Sequence, residues 1–463
     1  MTMTKQLFKR KSIESLTAND NGLKKTLSAR DLTILGVGAI IGAGIFVLTG
    51  IAAAKYAGPA IVLSFILAGI ACALAALCYS ELASMIPVSG SAYSYAYATM
   101  GELMAWIIGW DLILEYALAS STVAIGWAGY LISFLENIGL HLPKYLTTAY
   151  LADPAQGFIN LPAVIVILLL TGLLILGIRQ SAIFNAVMVL IKLAVIVVFI
   201  AVGLGNINTE NWSDFTPFGM SGVLTGAGVI FFAYIGFDAV STAAQEAINP
   251  EKDVPKGIIG SLLICTVLYI LVAGILTGVV SYTELNVAAP IALAIDHMGL
   301  NWLSPIVKLG AITGLTSVML VLLMGQSRIF YSMAQDSLLP KVFANIHPVY
   351  QTPHLSTLIV GSAVALLAGF MPIDKLGELV SIGTLFAFVL VCGGVIVLRK
   401  THPDMQRHFS CPAVPILPVA GILVCFTLMA GLPFDTWIRL LVWLIIGFLI
   451  YFGYGKSHSS LKD

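Results

Sequence analysis

Gly36-Val37-Gly38-Ala39-Ile40-Ile41-Gly42-Ala43-Gly44-Ile45-Phe46 lies in the middle of the first long apolar run of a 463-residue chain. Four glycines fall within nine residues of it. Each weakens a helix interior by about 1 kcal/mol relative to alanine, so this helix is set to break at mid-depth. Gly38 and Gly42 also fit a small-xxx-small packing face, and on this stretch alone the two readings stand level.

The rest of the chain says what surrounds the weak point. Hydrophobic residues make up 59% of the sequence and charged residues 10%. A water-facing surface is built from about 25% charged residues, so most of this surface must face lipid. About 20 apolar residues cross the hydrocarbon as a helix. Candidate spans are 32–56, 59–86, 98–134, 161–178, 181–205, 222–247, 257–280, 304–332, 355–372, 376–399, 414–431 and 435–454. The chain is thus predicted to be an all-α membrane protein of about 12 transmembrane helices, with a tight turn at Ile178–Ser181.

Charge gives the orientation. Placing the N-terminus inside puts 17 of the 23 Lys and Arg on inside segments and five outside, with Lys192 mid-span. That asymmetry follows the positive-inside rule and predicts a multi-pass protein of the cell (cytoplasmic) membrane with both termini cytoplasmic. The N-terminal 30 residues are polar and basic, without the apolar core of a cleavable signal. Zero net charge speaks against nucleic-acid binding. The six cysteines show no CxxC pairing, and neither a disulfide framework nor a metal site is expected. HExxH, GxSxG and Walker-type phosphate loops are absent, so no enzyme chemistry and no cofactor are expected.

The sixth span carries a second weak point. Gly226-Ala227-Gly228-Val229-Ile230-Phe231-Phe232-Ala233-Tyr234-Ile235-Gly236-Phe237-Asp238 predicts unwinding between about Ala233 and Gly236, with Asp238 capping the second half. The two interruptions, near Gly42 and Ile235, are 193 residues apart, the offset between spans one to five and spans six to ten. Paired interruptions in corresponding halves point to a solute site at the bilayer midplane. Unwound backbone in hydrocarbon needs partners for its N–H and C=O groups, and a polar ligand in a cavity supplies them. The positive end of a half-helix attracts a carboxylate, and freed carbonyls accept from an ammonium. An α-amino acid carries both.

Three ionisable side chains sit at membrane depth. Lys192 stands alone between Ala182 and Gly203, 13 residues after Arg179 and so roughly 20 Å deep. Burial disfavours its charged form, which suits a proton-accepting or cation-mimicking group; pairing for folding alone is the rival. Glu115 and, one turn earlier, Asp111 lie in the third span without a cation on their own helix. Glu115 leans to a substrate or proton role and Asp111 to structure. Thr316 and Ser317 are adjacent hydroxyls in the eighth span, and such groups usually bond their own i−4 carbonyls.

These segments resemble the amino acid–polyamine–cation (APC) superfamily, and within it bacterial relatives of the cationic amino acid transporters. The resemblance rests on Gly38–Phe46, on Pro87-Val88-Ser89-Gly90-Ser91-Ala92-Tyr93, on Phe232–Asp238, and on Arg328–Asp336 with Leu339-Pro340. It implies a LeuT-like 5+5 inverted repeat plus two peripheral helices. The organisation is then a cytoplasmic segment 1–30, a first repeat 31–205, a second repeat 206–400, peripheral helices 401–456 and a tail 457–463. It also implies that backbone amides near Ala43 and Gly44 hold a carboxylate, and that carbonyls of Phe232, Ala233 and Ile235 hold an amino group. Lys192 matches the fifth-helix lysine of proton-coupled members, and Glu115 the third-helix acid of the cationic-type branch. Ala43 stands where many relatives carry Ser or Thr, and Gln335 and Ser337 flank Asp336 where the loop usually reads Ala-Arg-Asp-Gly.

The expected substrate-binding set is therefore Ile40, Ile41, Gly42, Ala43, Gly44, Glu115, Phe232, Ala233 and Ile235. Lys192 is the proton-coupling residue, with Thr316 and Ser317 as its partners. The reading is a secondary active permease importing cationic and/or neutral L-amino acids with protons by alternating access. The alternatives are an exchanger or facilitator with a structural Lys192, then a channel, a substrate sensor or a membrane-embedded enzyme. A small single-span subunit stays open as a partner.

Overall fold

A computed structural model describes residues 7–12, 27–86, 91–176, 182–244, 247–350 and 352–460. The turn expected at Ile178–Ser181, Arg179, and the Pro87–Gly90 part of the second motif lie outside the described residues. The described residues are helical throughout, joined by turns and two isolated β-bridges.

The first span is a half-helix, α1 (Ala29–Ile40), followed after a break by a continuation whose two ends are π-helical, Gly44–Leu48 and Ala53–Ala57. The spans that follow are α2 (Ile61–Met85), α3 (Ser91–Thr99) leading into α4 (Glu102–Asn137), α5 (Leu161–Ile175) and α6 (Ala182–Gly203). The second set starts with α7 (Gly219–Ile230), again broken, then α8 (Pro250–Val279), the short α9 (Pro290–His297), α10 (Ser304–Gln335), α11 (His354–Phe370) and α12 (Ile373–Thr401). Two further helices close the chain, α13 (Ile416–Ala430) and α14 (Phe434–Ile450). Seven described segments are long and apolar enough to cross a membrane, and four shorter apolar helices add to them. Multi-span architecture follows from that.

Local chemistry sets several boundaries. Ser28 and Asp31 form a capping box at the start of α1, so that helix begins where two orphan N–H groups find oxygen. The third span begins at Glu102 rather than near residue 98, because Gly101 breaks α3 from α4 with φ +101°. A side chain there would also meet the Phe8 backbone, 2.7 Å away.

Long helices form the packing core. α8 lies along both α1 and α2, and α4 lies along α10 and α12. α14 docks on α4 through a stacked tryptophan pair, Trp110 and Trp443, with centroids 4.4 Å apart. Each indole N–H donates to the other residue's carbonyl, at 2.8 and 3.1 Å.

Charged groups collect at the two ends. At one end Lys11 Nζ donates to Asp336 Oδ1 at 2.6 Å, and Ser460 N donates to the Asp336 carbonyl at 3.2 Å, so Lys11 and Ser460 meet at Asp336. On the same molecule Glu81 is fully buried and accepts a bidentate pair from Arg399 at 2.8 Å, a bond from Arg407 and one from the Cys411 N–H. At the other end Glu378, also fully buried, accepts from Tyr56 and Thr436.

Glu81 therefore ties α2 to α12 and to the loop behind it. Replacing Glu81 with Ala leaves two guanidinium groups without their carboxylate, a cost of roughly 3 kcal/mol. A lowered midpoint of thermal unfolding in detergent is expected, with Glu81→Gln falling between the variant and the parent; an unchanged midpoint for Glu81→Ala would contradict this.

Candidate functional site

Both predicted breaks exist, and they touch. α1 ends at Ile40, Ile41 turns to φ −73° and ψ 96°, and helix resumes as a π-turn from Gly44. A π-turn widens the helix and is common at functional sites. In the other span, Phe231–Tyr234 tightens into a 3-10 turn after α7. Ile235 is then extended at ψ 138°, and Gly236 takes φ +115°, a conformation open to glycine. A four-residue helix, Ala239–Thr242, follows.

Two close approaches fix how the breaks face each other. A Cβ on Gly44 would lie 2.3 Å from Ala233 Cα, and a Cβ on Gly236 would lie 2.8 Å from the Ala39 carbonyl. Gly44 starts a half-helix and Ala233 ends one; Ala39 ends a half-helix and Gly236 precedes one. The segments thus run antiparallel, and each N–H-rich start abuts a carbonyl-rich end. The first N–H groups of the upper half, from Gly42 to Ile45, have no preceding turn to bond to. They lie beside the carbonyls at the end of the other broken span.

Other side chains satisfy part of the exposed backbone. Ser381 Oγ accepts from Phe232 N at 3.1 Å and donates to the Val229 carbonyl at 3.1 Å. Tyr130 donates to the Phe46 carbonyl at 2.8 Å. The Tyr269 hydroxyl lies 2.9 Å from the Ile40 carbonyl and 2.8 Å from the Ala233 carbonyl. The Phe232 carbonyl accepts from Ile235 N at 3.2 Å. A carbonyl has two lone pairs, so Phe232 and Ala233 each keep one for a ligand. None of Ser381, Tyr130 and Tyr269 was singled out from sequence. A polar group inside an apolar span is the available signal, and it does not say which backbone the group will meet.

Lys192 reaches the first break. Its ammonium donates to the Gly38 carbonyl and, at 3.0 Å, to the Ile41 carbonyl, and the side chain is fully buried. A cation at a helix C-terminus meets unpaired carbonyls and the negative end of the helix dipole, which is why it rests here. Its stem packs on α10 at Gly314, where a Cβ would lie 3.0 Å from Lys192 Cβ. The partners expected from α10 bond elsewhere. Thr316 donates to the Ile312 carbonyl and accepts from Trp127 Nε1 at 2.9 Å, and Ser317 donates to the Gly314 carbonyl. Helical Ser and Thr satisfy their own preceding turn first.

The acids are grouped, but away from the upper half of the break. Gly126 of α4 abuts Ala43, and Glu115 lies eleven residues earlier on that helix, about 16 Å along its axis. Glu115 instead shares a buried group with Asp238, Asp111 and Thr384. Tyr116 donates to Asp238 Oδ2 at 3.3 Å. Asp238 does not cap the following helix with its side chain; its own backbone is helical, at φ −65° and ψ −28°, and the carboxylate turns to Tyr116. Apolar side chains also border the breaks: Ile40, Phe232 and Ile235 are buried, and Val318 is the neighbour of Gly42.

The two glycines of the upper half give opposed predictions. Gly44→Ala forces a methyl into Ala233 backbone, which has no room to yield, whereas Gly42→Ala meets Val318 at 3.4 Å, an ordinary contact. Ligand-induced thermal stabilisation should be lost in Gly44→Ala and kept in Gly42→Ala. Equal retention in both would show that the close approach is not needed.

Residues 27–451 match the family described as amino acid permease. The chain is 49% identical to a branched-chain amino acid permease of Bacillus subtilis (strain 168), over the whole of both chains. It is equally 49% identical to a methylthioribose transporter of the same organism, covering 98% of this chain and 99% of that one. It is 31% identical to cationic amino acid transporter 4 of Homo sapiens, covering 99% and 91%. These relatives are named as a permease and as transporters. Two broken helices that meet, an apolar multi-span frame and end-to-end similarity agree: the chain belongs to the amino acid permease family of the APC superfamily.

Proposed function

We propose that the protein imports neutral, apolar L-amino acids with protons by alternating access in a LeuT-like 5+5 frame. Its termini are then cytoplasmic and its lipid is the cell membrane. The observation that carries the reading is the antiparallel meeting of the two breaks at Gly44 and Ala233. It sets N–H groups for a carboxylate beside carbonyls for an ammonium, and an α-amino acid joins the two through one carbon. Ala43 and Gly44 take the carboxylate, and the carbonyls of Phe232, Ala233 and Ile235 take the amino group. Ile40, Phe232, Ile235 and Val318 favour an aliphatic side chain. This agrees with a relative named for branched-chain amino acids. A relative named for methylthioribose at the same identity makes a sugar the rival cargo.

Lys192 is the coupling residue in this account. Protonated, it closes the carbonyl end of α1 and holds α1 against α6 and α10. Deprotonated, it releases Gly38 and Ile41 and frees α1 to move. Glu115, in a buried group with Asp111 and with Asp238 just past the second break, fits a station for protons. The second reading is an exchanger in which Lys192 is only a structural cation, and its two carbonyl bonds favour that role equally.

Purified protein in liposomes separates these. With an inward proton gradient, leucine, isoleucine or valine should accumulate against its own gradient, and lysine, arginine and methylthioribose should not. Lys192→Ala should keep tracer exchange and lose gradient-driven accumulation, its inside-to-outside ratio falling to about one, because a group that carries no proton cannot couple to it. Accumulation that survives in the variant would assign Lys192 to structure, and uptake of methylthioribose in place of amino acids would replace the cargo.

A further inference from the structure

Two sequence motifs lie outside the breaks and yet meet, the one ending at Tyr93 and the one ending at Asp336. Tyr93 donates to Asp336 Oδ2 at 2.7 Å, and Lys11, far back in the chain, donates to Asp336 Oδ1 at 2.6 Å. Lys11 belongs to a stretch that crosses the joint between α3 and α4. Its N–H donates to the Tyr97 carbonyl at 3.3 Å, and its ammonium lies 5.7 Å from the centre of the Tyr97 ring. Two residues earlier, the Lys9 carbonyl accepts from Glu102 N at 3.1 Å. Glu102 opens α4, and the first N–H groups of a helix have no partner within it, so the crossing stretch supplies what the helix lacks. Gly101 makes room for it: the φ of +101° and the Phe8 backbone both exclude a side chain there.

The position of α3 gives this crossing its consequence. α3 follows α2, which packs with α1 along α8, and it leads into α4, which packs along α10 and α12. Movement of the first set against the second has to be taken up at the ends of α3, and Gly101 is the joint at one of them. We propose that the stretch from Phe8 to Lys11 is a strap that holds this joint in the conformation seen here and slows the change of open side, with the Lys11–Asp336 pair as its catch. The inference rests on the alternating-access reading above. The side chains of Lys11 and Asp336 are 25% and 13% exposed, so the pair is partly solvated. A pair of that kind is weak and is screened by salt, which suits a catch that opens in every cycle.

Lys11→Gln and Asp336→Asn each remove one charge of the catch, and Arg10→Gln removes the neighbouring charge and leaves the catch intact. All are compared with the parent in liposome exchange of the branched-chain amino acid that the parent exchanges best. Lys11→Gln and Asp336→Asn should each raise the maximal exchange rate about three-fold, the effect of losing one partly exposed ion pair, and the double variant should rise no further. Arg10→Gln should keep the parent's rate. Raising salt from about 0.05 to about 0.5 M should speed the parent and leave Lys11→Gln unmoved. An unchanged or lower rate in Lys11→Gln would overturn the proposal, and so would additive rises in the double variant or an equal rise in Arg10→Gln. The strap is also read without transport, by hydrogen exchange at the Glu102 amide, which Lys11→Gln should speed at least about ten-fold. Unchanged protection there would overturn the strap. A parent that exchanges no amino acid, with the Glu102 amide still released in Lys11→Gln, would overturn the functional reading and leave the strap standing.

Discussion

In a bilayer every backbone N–H and C=O must find a partner inside the protein, because hydrocarbon offers none. This chain meets that demand along most of its spans with unbroken helix, and then breaks the rule twice at places that meet. Much of the rest of the structure can be read as the consequence. Ser381, Tyr130, Tyr269 and Lys192 each reach from another helix to exposed main chain at or beside a break. The remaining N–H groups and lone pairs lie at the contact between Gly44 and Ala233, where the geometry suits a ligand carrying both charges.

The same constraint explains why so little charge is spent inside the membrane and where it goes. Charged pairs gather at the two ends, around Glu81, Asp336 and Glu378, and there they tie helices to loops and termini. Lys192 lies at the core, and it rests on the carbonyl end of α1, where a helix presents partial negative charge. Glu115, Asp111 and Asp238 form a buried acidic group of their own.

The spans and both breaks were legible in the sequence, since apolar length and glycine weakness are local properties. Gly36 to Gly44 predicted the first break, and Ala233 to Gly236 the second, to within a residue or two. What could not be read was the pairing of side chains across helices. Thr316 and Ser317 stood between their own preceding turn and Lys192; each hydroxyl takes its own turn, and the lysine takes backbone carbonyls. Glu115 was expected in a substrate or proton role; it lies well along α4 from the residue that abuts Ala43, in a buried group with Asp238 just past the second break. Asp238 was expected to cap and turns to Tyr116. Tyr269 gave no sequence signal beyond being a phenol in an apolar run.

The central claim is that the paired breaks recognise a zwitterion by both of its ends. Titration of the purified protein with leucine, leucinamide and N-acetyl-leucine, followed by calorimetry, addresses it directly. The three share a side chain and differ only in which end can engage backbone. The account predicts heat and saturable binding with leucine and a loss of at least about a hundred-fold in affinity for each capped analogue, since each leaves one set of backbone groups unpaired. Binding of either analogue as tight as that of leucine would contradict it.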